Sequence, residues 1–146
     1  MTSDGTGTEP GVITKLSALP FPDTVARAKD LIAAKGMKLF AVIDQRAEAQ
    51  AAGLDLRDTT LVIFGSPAGG TPVMAGAPLS ALDLPLKVLI WADDGQVKVS
   101  YYSPEELGRR HGLSPDLVAR LAGIGPLTDA LTSPQTPTSS QTPTAP

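Results

Sequence analysis

The side chains that could do chemistry are few, and three of them follow apolar runs that predict strands. Asp44 and Gln45 follow one such run, and Ser66 follows another. A carboxylate and a hydroxyl at strand ends are groups that a hydrolase or isomerase could use for acid–base or nucleophilic steps. The segment Gly65-Ser66-Pro67 does not match the G-x-S-x-G nucleophile elbow. A hydrolase or isomerase using Asp44 and Ser66 is therefore only the alternative function.

Histidine and cysteine limit the other chemistry that the chain could carry. The chain has no cysteine and one histidine, His111, which argues against thiol catalysis, thiolate metal sites and a site built from several histidines of one chain. A Ser–His–Asp site would require His111 to fold back over Ser66. Asp44 is already explained as a helix N-cap and Ser66 as a turn residue. We predict no catalytic residue, no metal site and no cofactor.

A glycine-rich segment offers the clearest place for a ligand. Residues 65–70 (GSPAGG) follow a predicted strand and precede a short helix capped by Thr71. A strand, a glycine loop and a helix N-terminus together suit a phosphate or carboxylate, although the Walker A and G-x-G-x-x-G patterns are missing. We predict that a small apolar or anionic ligand binds at Asp44, Gln45, Gly65, Ser66, Pro67, Thr71 and Trp91.

Charge and hydropathy restrict the partners of this 146-residue chain. Its net charge of −3 leaves it without the general basic field that nucleic-acid binders use. We interpret the local cluster of Arg109, Arg110, His111 and Arg120 as a solvated helix face. No apolar run approaches the roughly 20 residues that span a bilayer, and residues 1–10 lack the pattern of a secretory signal. We expect a cytoplasmic protein that binds neither nucleic acid nor membrane.

Alternating strands and helices position these residues. Apolar periodicity and turn residues predict strands over residues 11–16, 37–43, 59–64, 86–92 and 97–102. Capping residues and helical spacing predict helices over residues 22–35, 45–52, 72–78, 103–112 and from 114 onwards. The last of these helices is expected to bury Leu117, Leu121 and Ile124.

The order βαβαβαββαα predicts an α+β fold with an antiparallel-rich sheet and helices mainly on one side. A small doubly wound parallel sheet is the alternative, because the early alternation of strands and helices allows it. We place a single domain at residues 11–132. It lies between a disordered N-terminus at residues 1–10 and a disordered tail at residues 133–146, which is rich in Pro, Thr, Ser and Gln.

The hairpin around Asp94-Gly95 decides which side chains share a face of the sheet. A type I′ turn there pairs Ile90 with Val99, and it places Leu89 and Trp91 on the side opposite Ile90. We group with Leu89 and Trp91 the side chains of Phe40, Val42, Val62 and Phe64. Both sides are then apolar, so we expect a second copy of the chain or an apolar ligand to cover the side of Trp91.

Six segments, in order along the chain, resemble one known family. They are residues 35–44 (KGMKLFAVID), 51–57 (AAGLDLR), 61–67 (LVIFGSP), 70–74 (GTPVM), 84–91 (LPLKVLIW) and 99–101 (VSY). The chain thus resembles the domain of unknown function 302 family of small bacterial and archaeal domains, over nearly all of residues 11–131. The resemblance implies an α+β fold similar to the TATA-box-binding-protein-like architecture and a homodimer. It implies no established activity.

The chain departs from the pattern of that family at several positions. Gln45 stands where the family usually has histidine, and Ala92 stands where it often has an acidic residue. Ser66 and Ala68 replace the asparagine and lysine that often occupy the loop. These departures argue against an acid–base or cationic role at these positions. We predict a non-enzymatic dimeric domain that binds a ligand or partner in a groove near residues 65–71 and Trp91.

Overall fold

The computed structural model describes residues 9–134 of the chain. The predicted disordered N-terminus and tail lie outside these residues, apart from residues 9–10 and 133–134. At those ends, the Val12 amide donates to the Glu9 carbonyl and the Ser133 amide donates to the Asp129 carbonyl. No helix within the described residues is long and apolar enough to cross a bilayer.

Five strands and six α-helices make up the fold of the described residues. The strands are β1 (Val12–Ser17), β2 (Lys38–Asp44), β3 (Thr59–Gly65), β4 (Leu86–Asp93) and β5 (Gln96–Tyr102). The helices are α1 (Phe21–Ala34), α2 (Gln45–Ala51), α3 (Pro67–Gly76), α4 (Pro104–His111), α5 (Pro115–Ala119) and α6 (Ile124–Thr132). A 3₁₀ helix, Pro78–Leu82, lies between α3 and β4 and was not predicted.

All four strand pairs are antiparallel, and the strands lie in the order β1-β5-β4-β3-β2. This sheet confirms the α+β prediction and excludes the doubly wound alternative, which needs parallel strands. The β4–β5 hairpin also has the predicted register, because Ile90 pairs with Val99. Its turn residues Asp94 and Gly95 have φ angles of 54° and 87°, as a type I′ turn requires.

The register between β3 and β4 decides the two faces of the sheet. Val62 pairs with Val42 in β2 and with Val88 in β4. Val62 therefore lies on the face of Val88, and Trp91 points to the other face. The prediction that Val42, Val62 and Phe64 share a face with Trp91 is wrong, because a difference of one residue in register reverses every side chain of a strand.

Helices α1 and α6 pack on the face of Val62, which we call the helix-covered face. Its core consists of Ala28, Ile32, Val62, Phe64, Val88, Ile90, Val99, Tyr101, Ile124, Leu127 and Leu131. The other side of the sheet, which we call the opposite face, carries Leu61, Ile63, Leu89, Trp91, Lys98 and Ser100. The apolar side chains of this opposite face belong to neither core cluster of the described residues.

Two helix starts follow the capping signals in the sequence. The Asp44 carboxylate accepts a hydrogen bond from the Ala47 amide at 2.9 Å and caps α2. The Ser103 hydroxyl accepts from the Glu106 amide at 3.0 Å and caps α4. The capping box at α4 is half formed, because the Ser103 amide donates to the Gly11 carbonyl instead of to Glu106.

The last predicted helix is split into α5 and α6, and its single buried stripe is wrong. Residues 120–123 form a turn between the two helices. Glycine at position 123 favours the break because its intrinsic helix propensity is low. Leu121 packs in a small cluster with Val73 and Leu107, whereas Ile124 belongs to the main core. The turn matters for function because it forms one wall of the cavity described next.

Candidate functional site

A cavity of about 390 Å³ opens at the end of β3, where the chain enters α3. This volume lies within the roughly 300–1,000 Å³ of small-molecule sites. Its walls come from the start of β2, from α3, from the start of β4 and from the turn between α5 and α6. The apolar lining consists of Met37, Phe40, Pro67, Met74, Leu84, Pro85, Leu86, Leu121 and Ile124. The cavity can therefore hold an apolar molecule of small size.

Ser66, and not Thr71, begins the helix beside the cavity. The Ser66 backbone is extended, and its hydroxyl accepts a hydrogen bond from the Gly69 amide at 3.2 Å. Pro67 follows at the first helical position, where its fixed φ angle favours the helix. The predicted loop over residues 65–70 and the predicted cap at Thr71 are therefore wrong. The Ser-Pro start places Gly69 and Gly70 inside α3.

Gly69 lies where α3 meets the turn between α5 and α6. A Cβ atom at Gly69 would lie 3.4 Å from the Arg120 carbonyl oxygen, at the limit of ordinary van der Waals contact. Gly69 thus forms a wall of the cavity beside this turn. The Leu84–Pro85 peptide bond, which is cis, forms another part of the wall.

A bulge in β2 supplies the aromatic side chain of the cavity. The register of β2 on β3 shifts between Leu39 and Ala41, and Phe40 lies between them. β-bulges often redirect a side chain next to a binding site. Phe40 remains 45% exposed, so it forms part of the mouth of the cavity rather than of the core.

The remaining predicted site residues lie elsewhere. Asp44 and Trp91 pair with the first two residues of β3, whereas the cavity lies at its last residue. At about 3.3 Å per residue the separation is roughly 20 Å. Gln45 follows Asp44 at the same distant end, and Trp91 is also on the opposite face. The structure brings together four predicted residues, which are Gly65, Ser66, Pro67 and Thr71.

Trp91 takes part in a polar network on the opposite face. Its indole N–H donates to the Ser100 hydroxyl at 2.9 Å, and that hydroxyl is 2.8 Å from the Thr14 hydroxyl. The Lys98 ammonium lies 5.4 Å from the centre of the Trp91 ring and 2.7 Å from the Asp93 carboxylate. Trp91 is thus bonded within the sheet and does not line a groove with residues 65–71.

The predicted positive cluster is divided between two places. Arg109 and Arg110 both bind the Glu106 carboxylate, at 2.7 and 2.8 Å. The His111 ring lies 2.7 Å from the Asp83 carboxylate. These contacts offset the charge of the α4 cluster, so it is not a simple solvated cationic face. Arg120 lies apart from them, at the cavity.

A protein-family model matches most of the chain. The model of the domain of unknown function DUF302 matches residues 13–125. The chain belongs to the DUF302 family. A solved DUF302 member is similar in structure: the crystal structure of an uncharacterized conserved protein DUF302 from Bacillus stearothermophilus gives a TM-score of 0.72 at 18% identity. That likeness covers 85% of this chain and 97% of the other, and it shows the fold.

Two curated relatives carry the name fluoride-specific ion channel FluC 1, one from Brucella suis and one from Brucella abortus. Each is 37% identical over an alignment of 123 residues, and the match covers 81% of this chain. The chain spans about half the length of these relatives, 48% and 46% respectively. Their name describes proteins about twice as long as this DUF302 domain.

Several lining residues of the cavity could not be predicted from the sequence. Met37 and Phe40 belong to a segment with the composition of an ordinary strand, and no sequence pattern predicts the bulge that turns Phe40 to the cavity. Arg120 was grouped with the α4 charges, but the turn between α5 and α6 places it at the cavity. Its neighbour Gly123 was the available signal, since a glycine at that point favours a turn.

Proposed function

We propose that this DUF302 domain is a non-enzymatic module that binds a small molecule in the cavity between α3, β4 and the α5–α6 turn. The cavity itself carries the proposal, because about 390 Å³ of space is lined mainly by apolar side chains and by only three polar ones, Ser66, Thr71 and Arg120. Small-molecule sites typically combine apolar walls with a few polar groups that orient the ligand.

The separation of Asp44 and Ser66 favours binding over catalysis. A nucleophile and its base must lie within hydrogen-bond reach, directly or through one water. Asp44 caps α2 at one end of the sheet, and Ser66 caps α3 at the other. The hydrolase or isomerase alternative has no support from this geometry.

We also propose that the domain is a cytoplasmic homodimer that associates through the opposite face. Leu61, Ile63, Leu89 and Trp91 lie outside both core clusters of the described residues. An apolar sheet face without core packing is a common basis for association. Ion conduction, the activity in the name of the Brucella proteins, is not needed for either part of this function.

Binding of a neutral dye tests the cavity directly. 1-Aminonaphthalene, a neutral dye small enough for the cavity, is expected to bind the wild-type protein with a blue shift of its fluorescence, and Gly70→Leu is expected to abolish this shift by filling the space. A Cβ at Gly70 has its nearest neighbour, the Met74 methyl carbon, at 3.9 Å, so the backbone tolerates the change.

Gly125→Leu is the matched control, because position 125 is also helical, is not part of the cavity lining and has open space around a Cβ. Equal loss of dye binding in both variants, with both folded, would contradict the proposed site. Absence of dye binding by the wild type would contradict the binding function itself.

A further inference from the structure

The cavity has one charged residue in its lining, and the side chain of that residue has no partner within residues 9–134. Arg120 is the only charged residue of the lining. The other five arginines of the chain each donate a side-chain hydrogen bond, to a carboxylate or to a carbonyl. Arg120 is exposed and is the exception among the described arginines. Its guanidinium therefore retains its full set of donors for a molecule in the cavity.

The other polar groups of the lining are also able to donate. The Ser66 hydroxyl accepts from the Gly69 amide, which leaves its own hydrogen for a second acceptor. The Thr71 hydroxyl has no partner in the part of the chain that the structure describes. No aspartate or glutamate belongs to the lining. The polar part of the cavity thus complements an acceptor that carries negative charge.

A second cation lies close to the mouth of the cavity. The Lys38 ammonium is 5.5 Å from the centre of the Phe40 ring, and Phe40 is a lining residue. Lys38 makes no ion pair with another described residue. Two cations without carboxylate partners therefore flank an otherwise apolar cavity, which strengthens the local attraction for an anion.

We propose that the ligand is an amphiphilic carboxylate, with its charged group at Arg120 and an unbranched apolar chain against Met37, Met74, Leu86 and Ile124. This inference rests on the proposed function and names the ligand class of the same cavity. A water molecule, which has one non-hydrogen atom, occupies about 30 Å³ of liquid volume. If each non-hydrogen atom of a ligand needs the same space, the cavity of about 390 Å³ holds roughly thirteen of them. A saturated carboxylate of about ten to twelve carbons matches that number. Unbranched chains also suit methionine walls, which adapt to irregular shapes.

Titration calorimetry with decanoate and with decan-1-ol tests the assignment. Both probes fill the apolar space, but only decanoate carries the charge. Decanoate is expected to bind at least about tenfold more tightly than decan-1-ol, as expected when a hydrogen bond gains a charged partner. Raising the salt concentration is expected to weaken decanoate binding and to leave the alcohol unchanged.

Three variants assign the effect to one side chain. Arg120→Gln is expected to weaken decanoate binding by about ten- to a hundredfold and to leave decan-1-ol binding unchanged. Arg120→Lys is expected to recover part of the affinity because it retains the charge. Arg46→Gln is the matched control, since Arg46 lies on α2, pairs with Asp58 and lies far from the cavity.

The outcomes separate this inference from the proposed function. If decan-1-ol and 1-aminonaphthalene bind but decanoate binds no better, or if Arg120→Gln leaves decanoate affinity unchanged, the carboxylate assignment is overturned and the cavity function stands. If none of the three molecules binds, both are overturned. Decanoate-induced shifts of the Gly69 and Gly70 amide signals, with an unshifted Trp91 indole signal, would support the location, and the reverse pattern would overturn it.

Discussion

The two faces of the sheet are built from the same strands but are stabilised in different ways. On the helix-covered face, Val62, Phe64 and Ile90 are fully buried under α1 and α6. On the opposite face, Leu61 and Trp91 are only partly buried and are interleaved with hydroxyl and ammonium groups. The period of two along each strand separates these environments by a single residue.

The difference explains where the cavity forms. The packing of the helix-covered face ends where β3 ends, because the chain there enters α3 and the α5–α6 turn lies beside it. The residues next to that point, Phe40 and Met74, are apolar but not fully buried. On the opposite face, side chains of neighbouring strands hydrogen-bond to one another, as Trp91 does to Ser100. We therefore expect ligand binding and self-association to depend on different side chains.

Neighbouring residues of β3 give the largest expected contrast in stability. Phe64→Ala is expected to lower the free energy of unfolding by about 3–5 kcal/mol, because it leaves a void in the buried core. Ile63→Ala, one residue earlier on the opposite face, is expected to cost about 1 kcal/mol, since the side chain is partly buried. Urea unfolding of the two variants measures the difference. Equal losses would show that the two faces are packed alike.

Gly95→Val tests whether the turn between β4 and β5 fixes the strand register, which decides the side chains of each face. Gly95 has a φ angle of 87°, a region that valine strongly disfavours, so we expect a loss of about 1–3 kcal/mol. Gly125→Val is the control, because its backbone φ is not positive and a Cβ there has open space. Thermal unfolding compares them. A Gly95→Val protein as stable as the wild type would contradict the role of this turn in fixing the register.

Charges placed on the opposite face test the proposed dimer. We expect Leu89→Lys combined with Trp91→Glu to yield a folded monomer, because association of two identical faces would then bury charged side chains. Leu79→Glu with Leu82→Lys is the control, since these leucines are 71% and 78% exposed on the 3₁₀ helix. Sedimentation velocity reports the oligomeric state. A wild-type monomer would remove the basis for the dimer.

The contrast between the faces also shows what can be predicted from the sequence. The hairpin at Asp94-Gly95 and the cap at Asp44 were predicted because their signals are local: a turn that needs positive φ and a side chain that reaches its own helix. The face assignment of Val62 depends on pairing between strands distant in sequence, which no local pattern specifies. The cavity depends on the Phe40 bulge and on the split of the last helix, and both result from tertiary packing.

The smallest expected effect concerns the contact between α4 and the opposite face, which is made by charged side chains of α4. The Arg110 guanidinium lies 4.2 Å from the centre of the Tyr102 ring, and the Glu106 carboxylate holds Arg110 there. Hydrogen bonds from Arg109 and then from Arg110 lower the pKa of Glu106 from 4.5 to about 2. Because the folded protein has the lower pKa, this contribution to stability is present above pH 4.5 and is lost as the pH falls towards about 2.

Glu106→Gln is therefore expected to be less stable than the wild type at pH 6 and to approach it as the pH falls from 4.5 towards 2. Urea midpoints measured at several pH values for both proteins give the difference between the two profiles. Glu105→Gln is the matched control, because it removes a neighbouring carboxylate of α4 that is exposed and forms no ion pair with another described residue. A Glu106→Gln profile parallel to the wild type over this range would contradict the assignment. The helix would then be held to Tyr102 by packing alone, as on the helix-covered face.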